Sequence, residues 1–294
     1  MNLGQTRDAV RNLLAEAKIP DADFEADCLI CGATQISRVF LHSRPETGVE
    51  RENFSKIMKL ANSRAGGAPL SYVLGSAFFC GREFFVQSGV LIPRPETELL
   101  AEAASDILNR SPGGGGVFAD WCAGSGCIGI TLVLENPGWN CFAVDSSEKA
   151  LAAARQNAES LGVLDRINFV CCQTPYESGI PQASLDLAVS NPPYIPTGVI
   201  ASLERQVRDY EPKEALDGGS DGLDVYRTLL AGLPRLMKPE GVMIFETGGE
   251  EQADEVIELG ARVLRRGKEI DRVRFVKKFQ DHRGISRFVL WQLG

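Results

Sequence analysis

The sequence predicts an α/β protein: a parallel sheet covered by helices on both faces, preceded by a small helical domain and closed at one edge by an antiparallel hairpin. Three observations predict it. From Val117 onward, short apolar strand-like runs alternate with helical patterns, as in strands joined through crossover helices. Residues 1–74 carry apolar positions at helical spacing only. The tail holds two strand patterns, VRFVKKFQ and SRFVLWQL, around a polar turn with no helix between them.

The elements follow in order. Val10, Leu13, Leu14 and Ala17 make one helical face, stopped by Pro20, and Ala26, Leu29 and Ile30 make a second that ends near Gly32. Thr47 and Glu50 have the spacing of a capping box before Phe54, Ile57, Met58 and Ala61. Gly66-Gly67 and Pro69 then end the helical region. FFCGREFFV and GVLI, between Phe78 and Ile92, read as a strand pair around turn-formers. A helix from Glu96 to Leu108 follows, and Gly113 to Gly116 is a break. Next come strand VFADW, helix Cys127–Leu134, strand CFAVD, helix Ser147–Leu161, strands INFVC and LDLAVS, helix Gly222–Met237 and strand GVMIFE. The expected division is a helical domain at 1–74, a hairpin linker at 75–92 and an α/β domain at 93–294.

Composition excludes several classes. At 44% hydrophobic and 24% charged, the 294 residues are neither disordered nor fibrous. A net charge of −8 argues against a partner held mainly by phosphate neutralisation, so no direct nucleic-acid contact is expected. No apolar run approaches a bilayer span, and Arg7, Asp8, Arg11, Glu16 and Lys18 break up any signal-peptide core. The expectation is a soluble, cytoplasmic protein with no membrane partner. The 8 cysteines lie mostly in apolar segments, and Cys28 with Cys31 forms a lone CxxC. With only His42 and His282 as imidazoles, neither a zinc site nor a histidine-based nucleophile mechanism fits. Buried reduced thiols and no metal are expected.

Strand VFADW runs into Gly124-Ser125-Gly126-Cys127-Ile128-Gly129, a GxGxxG turn, and Asp145 ends the next strand 19 residues beyond Gly126. Glycines let the backbone bend sharply toward a ligand, and a carboxylate at that strand end can accept from both ribose hydroxyls. This much fits NAD, FAD or S-adenosylmethionine. Asp120 tilts the choice, because a carboxylate before the glycines repels a pyrophosphate and suits the ammonium of a methionine moiety.

Asn191-Pro192-Pro193-Tyr194 follows strand LDLAVS and is expected to face the same crevice as the glycine loop. An amino group conjugated to a carbonyl or ring has a delocalised lone pair and is a poor nucleophile. The Asn191 side-chain carbonyl and the Pro192 backbone carbonyl can each accept one of its N–H groups, orienting the nitrogen toward a sulfonium methyl. Proline stiffens the loop and removes competing donors. Tyr194 can lay its ring over the planar substrate group. Catalysis of this kind is orientation and electrostatics, with no general base required.

Together VLIPRPETELL, DWCAGSGCIGI, NPPYI and EPKEALDGGSDGLDVYR resemble the HemK/PrmC peptide chain release factor glutamine methyltransferases. The resemblance extends over most of the chain, including the terminal DHRGISRFVL. It implies a Rossmann-like S-adenosylmethionine-dependent methyltransferase fold and N5-methylation of the glutamine in the Gly-Gly-Gln motif of class I peptide chain release factors. S-adenosylhomocysteine is the implied product, and the helical domain is implied to grip the release factor. It places Asp120, Ala123, Gly124 and Gly126 on the cofactor loop, Asp145 on the ribose and Asn191 to Tyr194 on the substrate amide. Arg94, Glu96 and Thr97 fall in the segment bordering the site. Two departures stand out: Cys122-Ala123 where the family has Gly or Thr, and Gln173 where it often has an adenine-contacting aspartate. NPPY is shared with DNA and RNA amino-methyltransferases, which is the first alternative. An NAD-dependent oxidoreductase leaves NPPY unexplained, and a non-catalytic binding module leaves Asp120, Asp145 and Asn191 unexplained. Arg205 and Arg208 are expected near the site mouth.

Overall fold

The computed structural model describes residues 1–111, 113–266 and 273–294. The chain separates into two compact units: residues 1–76 with 204–210, and residues 77–203 with 211–294. The strand pair thus belongs mostly to the second unit instead of standing apart as a linker, and residues 204–210 return to the first.

The first unit is helical: α1 (Leu3–Glu16), α2 (Ala22–Thr34), α3 (Arg38–Ser43), α4 (Arg51–Ala65), α5 (Leu70–Leu74) and a single turn at Arg205–Arg208. Val10 and Leu14 of α1 pack with Leu29 and Ile30 of α2 and Ile57 and Ala61 of α4, all fully buried. The capping box is at α1: Gln5 N donates to Asn2 Oδ1 (2.8 Å) and Asn2 N donates to Gln5 Oε1 (3.1 Å). The box expected at Thr47 and Glu50 does not form. Glu50 is the N-cap of α4 without a side-chain bond, and the Thr47 carbonyl accepts from Leu3 N. Gly66-Gly67 ends α4, but helix resumes at α5. Asp27 on α2 ties this unit together. It accepts from Arg7 Nε of α1 (2.6 Å), and from Arg38 Nη2 (2.9 Å) and His42 Nε2 (2.8 Å) of α3. Burial pushes its pKa up, but the Arg7, His42 and Arg38 bonds prevail and hold it below the ordinary value.

The second unit opens with the hairpin β1 (Ser76–Phe79) and β2 (Arg82–Phe85), whose turn residues Cys80 and Gly81 both have positive φ, as a tight hairpin requires. GVLI is not a strand: Gly89 turns the chain, and the Ile92 amide goes to the Glu211 carboxylate at 3.2 Å. Then follow α6 (Pro95–Arg110), β3 (Gly116–Trp121), α7 (Cys127–Glu135), β4 (Trp139–Asp145), α8 (Glu148–Ser160), β5 (Ile167–Cys171), β6 (Leu185–Ser190), α9 (Asp224–Gly232), β7 (Met237–Glu246), α10 (Glu250–Arg266), β8 (Val273–Gln280) and β9 (Ser286–Leu293). The helix expected to reach Met237 stops at Gly232, because Pro234 cannot donate within a helix. Helix α10 is an addition to the expected elements, although Ala253, Val256, Ile257 and Val263 carry its spacing.

The seven strands run in the order β5-β4-β3-β6-β7-β9-β8, parallel up to β7, with the β8–β9 hairpin antiparallel as expected. Strand alternation sorts the core into two layers. Phe118, Leu187, Val189, Ile244 and Phe288 pack on the α6 and α7 side, while Ala119, Ala188, Met243, Phe245 and Trp291 pack under α9 and α10. The chain leaves β3 toward β4 and β5, then returns to its other side at β6, so the β3 and β6 carboxyl ends meet where strand order reverses. Among the described residues, no helix is long and apolar enough to cross a membrane.

Candidate active site

A cavity of about 270 Å³ opens at the carboxyl ends of β3, β4, β5 and β6. Ala123, Gly124, Asp145, Gln173, Asn191, Pro193 and Arg94 line it. Asp120, Gly126, Pro192, Tyr194 and Glu96 do not.

The loop after β3 is built around positive φ angles at Cys122 (61°), Gly124 (57°) and Gly126 (77°). Cys122 adopts without glycine a conformation that costs a residue with a side chain about 1–2 kcal/mol. At Gly124 an added Cβ would meet nothing within 4 Å, so its backbone faces open space. Gly126 instead brings α7 and α8 close, since a Cβ there would sit 2.9 Å from Ile130 Cδ1 and 3.0 Å from Ala154 Cβ. The Asp145 carboxylate accepts from Gly124 N and Ser147 N, both at 2.9 Å. Burial raises its pKa against these two bonds.

Asp120 sits near the end of β3, just before the glycines, with its side chain turned inward. Its carboxyl is fully buried, Oδ2 accepts from Gly129 N at 2.8 Å, and Oδ1 has no partner. Burial pushes its pKa up to about 7. From there it anchors the first turn of α7.

Asn191 stands just beyond Ser190, which pairs with Trp121 and donates to its carbonyl at 2.6 Å. Asn191 Nδ2 donates to the Thr97 hydroxyl at 3.0 Å, leaving the side-chain carbonyl oxygen free to accept from a ligand. Pro192 is buried. The Tyr194 ring is not spread over the cavity; it closes on Gly248, where a Cβ would lie 3.2 Å from Tyr194 Cδ2. Its carbonyl accepts from Gln252 Nε2 at 2.8 Å, and burial pushes its phenol up to about 12. Arg94 donates to the buried Glu211 at 2.6 Å, while Glu96 pairs with Arg283 at 3.7 Å.

Sequence reasoning missed Glu211, Glu214 and Glu246. Glu214 lines the cavity, and Glu246 is a buried carboxyl ending the apolar strand GVMIFE, an incongruity that could have flagged it. Arg205 and Arg208 do not line the cavity; they belong to the first unit, where both pair with Asp209. All eight cysteines are free, but only Cys127 and Cys141 are buried, and Cys171 is exposed.

Comparison with known proteins decides the family. The PrmC N-terminal domain matches residues 5–75, and the methyltransferase small domain matches residues 97–203. A release factor glutamine methyltransferase of Nitratidesulfovibrio vulgaris is 37% identical, covering 83% of this chain and 81% of that one. One from Geobacter sulfurreducens is 36% identical, covering 98% and 95%. The chain belongs to the release factor glutamine methyltransferases. A solved protein-(glutamine-N5) methyltransferase (release factor-specific) from Alicyclobacillus acidocaldarius is 33% identical, with a TM-score of 0.40, covering 68% of this chain and 93% of that one.

Membership makes the chain an S-adenosylmethionine-dependent methyltransferase, and the cavity fits that cofactor. Asp145 offers hydroxyls a carboxylate, Gly124 leaves room for close approach, and Val90, Leu91, Trp121 and Ile128 supply apolar wall. Asp145 and Glu214 give the lining an acidic character that suits a cation, and Arg94 is already bound to Glu211, so no free guanidinium is offered to a pyrophosphate.

Proposed function

We propose that this chain transfers a methyl group from S-adenosylmethionine to the side-chain amide nitrogen (N5) of the glutamine in the Gly-Gly-Gln motif of class I peptide chain release factors. The observation that carries the reading is the orientation of Asn191, whose amide nitrogen is spent on Thr97 while its carbonyl oxygen is left for an incoming amide N–H at the cavity. The Pro192 backbone carbonyl supplies the second acceptor. With both N–H groups held, the substrate nitrogen is positioned and eased toward pyramidal geometry.

When bound, the cofactor supplies an electrophilic methyl on a sulfonium and leaves as S-adenosylhomocysteine. Asp145 takes the ribose hydroxyls, and Ala123, Gly124 and Gln173 border the rest. Asp145 and Glu214 favour the cationic form over its neutral product. Pro193 and Arg94 edge the substrate side. Asp120, Gly126, Tyr194 and Glu96 act through the loops they hold, and no metal is required. The helical region 1–74 grips the release factor, in the cytoplasm. A DNA or RNA amino-methyltransferase is the weaker reading, since the relatives compared with this chain are named for release factors.

The test supplies labelled S-adenosylmethionine with a purified class I release factor, intact or with its Gly-Gly-Gln glutamine changed to alanine. Label on the intact factor alone is expected. Equal labelling of both, or labelling of DNA alone, sinks the proposal.

A further inference from the structure

Among the described residues, Arg94 is the one cation lining the cavity, set against the carboxylates of Asp145 and Glu214. Its side chain is 30% exposed, and its charge is not left alone. Arg94 Nη2 donates to Glu211 Oε1 at 2.6 Å, and the Glu211 side chain is 1% exposed. The second carboxylate oxygen, Oε2, accepts from Ile92 N at 3.2 Å. The segment before α6 therefore holds both oxygens of Glu211, which stands behind the cavity wall and does not line it.

The residues after Glu211 do line it: Pro212, Glu214 and Ala215. At the far end of this strap, Ile195 N donates to the Leu216 carbonyl at 3.0 Å and Gly218 N donates to the Ile195 carbonyl at 2.8 Å. Glu211 is thus the anchor by which one wall of the cavity is tied to the Arg94 segment, while the other end is tied just beyond Tyr194.

S-adenosylmethionine differs from S-adenosylhomocysteine by a methyl group and one positive charge on the sulfonium. The ratio of their affinities therefore reads the electrostatic potential inside the cavity. An unpaired guanidinium on the wall raises that potential, which disfavours the cofactor and spares the product. A carboxylate bound to the guanidinium reduces its field at the ligand from that of a charge to that of a dipole. We propose that Glu211 is a specificity-determining residue that acts through Arg94: it cancels the guanidinium charge and keeps the cavity selective for the cationic cofactor over its neutral product. Arg94 can then tie two loops together without repelling the sulfonium. The inference rests on the reading of the cavity as the cofactor site, and it holds whichever acceptor is methylated.

The test measures Kd for S-adenosylmethionine and for S-adenosylhomocysteine on the full-length chain by calorimetry, with Tm recorded for each variant. Glu211→Gln keeps the size and one acceptor but leaves Arg94 uncompensated. The Kd ratio is expected to shift toward the product by at least about threefold. Adding Arg94→Gln to Glu211→Gln removes both charges, and the ratio returns to within about twofold of the parent's. Damage to packing alone would weaken both ligands together and leave the ratio where it was. An unmoved ratio in Glu211→Gln, or a shift that Arg94→Gln does not reverse, overturns the proposal. The double variant carries no stranded charge, so an altered ratio there overturns it even if Glu211→Gln alone does not fold. Both ligands bind without an acceptor, so a release factor left unmethylated counts against the functional reading and not against this one.

Discussion

Asp27 in the helical unit and Asp120 in the sheet unit are buried alike, 1% and 0% exposed, and treated in opposite ways. Asp27 is surrounded by Arg7, Arg38 and His42, and its pKa is held below the ordinary value. Asp120 has one backbone N–H, no cation and a pKa pushed up to about 7, and burial raises Glu246 to about 7 as well, against Arg287 and Arg94. The helical unit uses buried charge as a bracket: one carboxylate on α2 fixes α1 and α3 at once. The sheet unit leaves carboxyls short of donors, at the first turn of α7 and at the end of β7. Paired charge marks a scaffold here, and underpaired charge marks the neighbourhood of a site.

The largest effect expected from this contrast follows removal of the bracket. Asp27→Ala removes the one carboxylate that Arg7, Arg38 and His42 share and, with those side chains partly solvated, costs about 2 kcal/mol in denaturant unfolding of the full chain. An unchanged unfolding curve would show that the cluster holds nothing.

A smaller effect separates the two kinds of carboxylate by pH. Asp120 and Glu246 are raised from 3.8 and 4.5 to about 7, so between roughly pH 4 and 7 the folded chain holds protons that the unfolded chain lacks. Their contribution to stability therefore falls as pH rises through that window and levels off above it. Asp27 has the opposite sign, its contribution being lost only as pH falls below the ordinary 3.8. Without cofactor, Tm is expected to be higher at pH 5 than at pH 8, by about 2–4 °C for each kcal/mol involved. Asp120→Asn, which keeps an acceptor for Gly129 N–H, narrows the gap. A gap that Asp120→Asn leaves unaltered would remove Asp120 from the account.

Much of this was legible in the sequence, for a physical reason. Strands buried on both faces are continuous apolar runs, so VFADW, CFAVD, INFVC, LDLAVS and GVMIFE announce themselves, and with them the strand ends that carry Gly124, Asp145 and Asn191. What escaped depends on contacts made across the fold. GVLI has strand composition, but its Ile92 amide is claimed by a glutamate 119 residues away. Thr47 and Glu50 have capping spacing, but α4 begins at Arg51 with Glu50 itself at the N-cap, so Thr47 lies three residues too early. Asp120 at the end of β3 and Tyr194 in the loop after β6 are where the sequence puts them, yet their side chains turn into packing, against Gly129 and Gly248. A sequence gives the residue and the loop; whether the side chain faces the cavity or the core is settled by the layers around it. Glu246 comes to lie beside the end of β6 only because β7 pairs with it, with Phe245 opposite Ser190.

The claim that this site works by orienting an amide through Asn191 is tested most directly on one preparation of Asn191→Ala. Cofactor Kd and single-turnover methyl transfer to an intact class I release factor are measured side by side. The account predicts a transfer rate lower by about 10²–10³-fold with Kd close to the parent's. A loss of cofactor affinity that matches the loss of rate would contradict it, and would move Asn191 from the substrate to the cofactor.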